Sequence, residues 1–174
     1  PVALNDGQLN TLEGCATISD VNGNLLFYTD GSIVYNANHI VMPNGTGLNG
    51  DNSSTQSAII VKKPGTTNIY TIFTVDAFGG PDGFQYSEVD MTLDGGLGDI
   101  IPTVKNIVVY TPTREKVTAI AHSNGTDYWI VTHEIGTSFR AYLFNSTGLV
   151  IAPVTSLGDV VNTTGALGYL KTNI

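Results

Sequence analysis

Apolar and polar positions along this chain fall into short runs parted by turn residues, and one order of runs comes back three times. An apolar strand with a small residue near its start meets an Asn-Gly or Pro-Gly turn. An aromatic-rich strand with threonine near its end follows. The first unit runs Cys15 to Asp20, turns at Asn22-Gly23 and continues Leu25 to Asp30. The second runs Ala58 to Lys62, turns at Pro64-Gly65 and continues Ile69 to Asp76. The third runs Thr118 to His122, turns at Asn124-Gly125 and continues Tyr128 to His133. From alanine to threonine the offset is 13 residues in the first and third units (Ala16 to Thr29, Ala119 to Thr132) and 16 in the second (Ala58 to Thr74). Asn-Gly is the strongest short hairpin signal because both residues tolerate positive φ.

Further strands are predicted after each hairpin. Ile33-Val34-Tyr35 and an edge strand at Val41-Met42 close the first unit, and Pro43 through Thr55 is expected to be a loop. In the second unit, Phe84 to Met91 alternates imperfectly and Ile107 to Tyr110 is the fourth strand, after which Pro112 breaks the chain. Phe139 to Phe144 and Leu149 to Ile151 complete the third. Leu167 to Lys171 has the look of a fourth unit's first strand. No segment of 11 or more residues holds an i, i+3, i+4 apolar stripe, so almost no helix is expected. Sheet units at this spacing are the signature of a β-propeller. The expectation is therefore an all-β, β-propeller-like domain over 1–174, with units at about 14–50, 56–110 and 117–152 and the next starting at 166. Three units do not close a ring, Pro1 is not a translation start, and the chain stops one strand into a new unit, so it reads as part of a larger protein.

Composition narrows the partners. Seven Lys and Arg against 15 Asp and Glu give a net charge of −8, a surface that repels phosphate backbones and argues against nucleic acid. No run of 18 apolar residues occurs, so no helical membrane insertion is expected. The single cysteine, Cys15, allows no internal disulfide and is expected to be a small buried hydrophobe. Five Asn-x-Ser/Thr sequons are too small an excess over chance to mark glycosylation.

Candidate chemistry gathers at the ends of the second strands. Asp30, Asp76 and His133 follow the repeated threonine, directly or one residue on, and in a ring of blades they would meet at one rim. There a carboxylate pair with a histidine could hold a cation or serve acid–base chemistry; the competing reading makes the aspartates turn caps. Phe78 and Phe84 flank Gly79-Gly80-Pro81-Asp82-Gly83 and are the aromatics best placed for a ligand, while most other aromatics fall inside strands and read as core. His39, His122 and His133 lack metal-ligand spacing, and no Gly-x-Ser-x-Gly occurs. No metal site or cofactor is assigned; the one cation reading is calcium between Asp94 and Asp99, in a stretch better explained as a glycine-rich turn.

Leu9 to Asp20, Leu26 to Gly31, Val41 to Gly45, Ser54 to Val61, Tyr86 to Met91, Leu93 to Asp99 and Gly168 to Lys171 together resemble one group of proteins. These are the large secreted surface proteins of Bacteroidota that end in a gliding-motility-associated or type IX secretion sorting domain. The resemblance covers nearly the whole chain. It implies the N-terminal part of a propeller-like domain, followed in the parent chain by adhesin modules and a sorting signal, and it implies an extracellular, cell-surface location. It supplies no catalytic residues. The expected function is a non-catalytic binding or display module engaging glycans, a surface protein or other domains of the same parent chain. The alternatives are a propeller-type glycan hydrolase or lyase with its site at the channel rim, and a structural spacer.

Overall fold

The computed structural model describes residues 5–158 and 168–171. They form three antiparallel sheets, none of them closed. The first is a meander of β1 (Ala16–Ser19), β2 (Leu25–Thr29), β3 (Ile33–Asn36) and β4 (Val41–Thr46). The second holds β5 (Ala58–Lys62), β6 (Ile69–Val75), β7 (Phe84–Asp90), β8 (Asp99–Ile100) and β9 (Ile107–Tyr110). The third holds β10 (Thr113–Ala121), β11 (Tyr128–Glu134), β12 (Ser138–Asn145), β13 (Gly148–Leu149) and β14 (Val154–Leu157). The described helical pieces are three 3-10 turns of three residues each. The hairpin glycines Gly23, Gly65 and Gly125 all take positive φ, as their turns require.

Side-chain alternation along the middle sheet explains how the three sheets stack. In β6, Tyr70 and Ile72 join Phe27, Val34 and Met42 of the first sheet in one core. Phe73 and Val75, on the opposite face, join Val117, Ile130, Tyr142 and Phe144 of the third sheet in a second core. Ring contacts mark both layers: Phe27 meets Tyr70 edge-on at 5.7 Å, and Phe73 meets Phe144 at 5.3 Å. The imperfect alternation of Phe84 to Met91 has the same cause, because β7 is covered on both faces and five of its seven residues are buried.

Several expectations change. The alanine–threonine correspondence holds as a cross-strand pair in the first two sheets (Ala16 with Thr29, Ala58 with Thr74), but in the third Thr132 pairs Val117 and Ala119 pairs Ile130. Thr29 shares a face with Phe27 and looks toward the second sheet, whereas Thr74 shares a face with Ile72 and looks back toward the first. The position that meets the following sheet is therefore Phe27 in one unit and Phe73 in the next, which brings Asp30 and Asp76 into correspondence. Pro43 to Thr46 belongs to β4, the last strand of its sheet, where a proline costs no inner ladder bond. The fourth strands are split: β8 and β9 pair opposite ends of β7, and β13 and β14 pair opposite ends of β12. Strand β10 begins at Thr113, four residues before the expected start of its unit, and a register shift separates Thr113 from Val117. Cys15 is exposed, since it precedes β1 and no described sheet covers that side. Of the expected fourth-unit strand, 166–167 lie outside the described residues, and 168–171 carry no strand.

Candidate functional site

The chain leaves β6 at Asp76 and enters a tight loop that returns to β7 at Phe84. Asp76 caps the 3-10 turn Ala77–Gly79: its Oδ1 accepts from Ala77 N at 2.8 Å, and its Oδ2 accepts from Asp82 N at 3.1 Å. A Cβ on Gly80 would collide with this carboxylate, so the loop closes over Asp76 only because position 80 lacks a side chain. Asp30 does similar work in the first sheet. Its Oδ1 accepts from Ser32 N, Ser32 Oγ and Ile33 N, each at 2.8 Å, and the residue is buried. Both aspartates are turn caps.

Phe78 stands at the crest of the loop with 73% of its surface exposed and φ 54°, ψ 21°. A bulky residue in the left-handed region carries backbone strain that its surroundings must hold in place. The holder is Glu115. Its Oε1 accepts from Phe78 N at 2.7 Å, while its Oε2 accepts from Thr55 N at 2.9 Å and from Thr55 Oγ1 at 3.1 Å. Glu115 is wholly buried, so these are charge-assisted bonds shielded from water. One carboxylate on β10 thus ties the loop after β6 to the segment leading into β5.

Ile135, just past β11 and 48% exposed, stands beside Phe78, and the two form an apolar rim to this loop. A Cβ on Gly79 would strike Ile135 Cδ1, so the two segments touch. Beside them the Arg140 guanidinium donates to Glu134 Oε2 through Nε at 2.9 Å and Nη2 at 2.7 Å, and lies 4.5 Å from the Tyr110 ring centroid. The bridge holds the Glu134 carboxyl below its ordinary value and raises the guanidinium. Burial pushes the Tyr110 hydroxyl up to about 12.

The remaining candidates do not join this rim. Phe84 is fully buried, ringed by Phe73, Tyr110 and Tyr142 at 5.7–5.9 Å; as the first residue of β7 it points into the second core rather than to solvent. His133 is 1% exposed and packs edge-on against Phe139 at 4.4 Å. Neither ring nitrogen has a hydrogen-bond partner among the described residues. Burial first, and the nearby Arg114 and Lys116 charges second, hold its pKa below the ordinary value. The Asp99 carboxylate turns to the first sheet: Oδ1 accepts from Asn44 N at 2.8 Å and Oδ2 from Asn44 Nδ2 at 2.6 Å. Among the described residues no three His, Cys, Asp or Glu side chains come close enough to hold one metal ion.

Sequence reasoning missed Arg114 and Glu115, having started the third unit at Val117. The available signal was Arg114-Glu115-Lys116 itself, three consecutive charges in a chain only 13% charged, directly ahead of an apolar strand. Compared with known proteins, the chain matches no family model, no curated protein and no solved structure.

Proposed function

We propose that the chain is a non-catalytic recognition module of a secreted, adhesin-like surface protein, presenting Phe78 to a glycan or surface-protein partner. The observation that carries this reading is a strained, largely exposed aromatic residue held by a buried carboxylate. Strain of this kind persists where a side chain must be displayed at a set angle. An aromatic face beside an aliphatic one, Ile135, suits the apolar face of a sugar ring or a partner's hydrophobic side chain. Asp30 and Asp76 give their oxygens to turn amides, and this weighs against the glycan hydrolase or lyase alternative.

The stacking of the sheets supports a propeller-like arrangement. Residues of the second sheet that meet the third alternate as Ile59 and Val61, Phe73 and Val75. On the open face of the third sheet the corresponding alternation gives Ile120, Trp129, Val131, Ala141 and Val154, which line an apolar groove of about 240 Å³. In this reading a further sheet covers that groove.

The experiment is binding of the purified chain to an array of bacterial and host glycans, beside binding to intact bacterial cells, with Phe78→Ala as the paired variant. Loss of binding in the variant with unchanged folding is expected. A folded protein that binds neither surface returns the weight to a structural spacer.

A further inference from the structure

The open face of the first sheet carries a cavity separate from the Phe78 rim. Residues 5–9 cross this face without filling it and leave a space of about 420 Å³, within the range of small-molecule sites. Leu9 and Leu25 supply its apolar lining, with the mostly buried Tyr28 at its floor. The crossing segment is pinned at defined points. Gln8 N donates to the Tyr28 hydroxyl at 3.1 Å, that hydroxyl lies 3.0 Å from His39 Nδ1, and His39 Nε2 lies 3.3 Å from Asp6 Oδ2. One assignment satisfies every atom: Tyr28, having accepted from Gln8, gives its own proton to Nδ1, and Nε2–H faces Asp6. His39 reaches this position from a left-handed backbone conformation, φ 61°, in the turn between β3 and β4. The Tyr28 ring is backed by Tyr35, stacked at 5.3 Å and 13°.

We propose that this cavity binds a small apolar molecule bearing one ammonium group. The network fixes a carboxylate at the mouth of an apolar pocket, and the Asp6 side chain is 61% exposed, so it has room for a further donor. Among the described residues no Lys or Arg lines the space, and the chain as a whole carries a charge of −8. An anionic ligand meets repulsion there, and a neutral one leaves the carboxylate unused. An ammonium pairs with Asp6 while its apolar body lies against Leu9 and Leu25.

Cys15 is the sole thiol in the chain, is exposed and lines this cavity as well as the neighbouring depression toward Ile59 and Tyr169, so its reactivity responds to occupancy and Asp6→Asn assigns the effect to this site. The test follows the rate of Cys15 modification by an aromatic disulfide reagent in the presence of phenethylamine, phenethyl alcohol or phenylacetate. Phenethylamine is expected to slow the reaction saturably at about millimolar concentration, as befits a fragment-sized ligand. The alcohol is expected to be roughly threefold to fivefold weaker, the size of an exposed ion pair. Asp6→Asn, at an exposed position, is expected to fold normally and to erase the difference between amine and alcohol. Equal protection by amine and alcohol, stronger protection by phenylacetate, or no protection by any of the three up to about 20 mM overturns the proposal. Phe78→Ala is expected to leave the protection intact, so this site and the rim fail or stand independently.

Discussion

Phe78 and Phe84 flank the same glycine-rich turn, yet they have opposite fates. Phe84→Ala removes a fully buried ring from the second core and is expected to cost about 3–5 kcal/mol. Phe78→Ala is expected to change stability by no more than about 0.5 kcal/mol, because little of the ring is covered. Urea denaturation of the two variants checks the contrast. Glu115→Gln keeps the shape of the side chain but turns an acceptor into a donor facing Phe78 N or Thr55 N. It is expected to destabilise by about 2 kcal/mol, read as a lower urea midpoint at unchanged slope. The sequence singled out the two phenylalanines flanking this turn but could not say which of them is exposed. That choice depends on the face β7's first residue takes, which the sheet on the far side decides. Asp30 was legible as a cap from Gly31 after it, whereas Asp76, followed by Ala77 and Phe78, had no such local signal, and the partners of Glu115 come from distant segments.

At the level of elements, the hairpins were the most legible part, because Asn-Gly turns and short apolar runs are local signals. The pairing of faces was not, since a one-residue difference in register turns every side chain over. Thr29 and Thr74 illustrate this: they resemble each other in sequence and lie on opposing faces of adjacent sheets. The joint between the second and third sheets rests on a chain of hydroxyls. Thr132 and Thr113 lie 2.6 and 2.7 Å from the Tyr110 hydroxyl, and Thr113 in turn donates to the His133 carbonyl at 3.0 Å. Tyr110→Phe leaves two buried threonines short of a partner. It is expected to cost about 1–2 kcal/mol while the far-ultraviolet circular dichroism stays that of the parent.

For the molecule as a whole, the second sheet is the keystone, contributing one face to each of two cores. The buried His133 gives this assembly a pH dependence. Its folded pKa lies below the unfolded value, so the unfolded chain takes up the proton first. The stability linked to His133 is complete above the unfolded pKa and is lost as pH falls from there toward the folded pKa. The urea midpoint is therefore expected to drop as pH falls below about 6.5, the ordinary histidine value. His133→Leu is expected to flatten that part of the curve. In the proposed recognition role Phe78 holds a strained backbone to present its ring, and Phe78→Gly separates strain from presentation when stability and binding are measured on the same protein. Glycine accepts the left-handed conformation, so stability is expected to rise by about 0.5–1 kcal/mol while binding to glycans and cells is lost. Unchanged binding with this gain in stability, or a loss of stability, would mean that the strained conformation does not serve recognition.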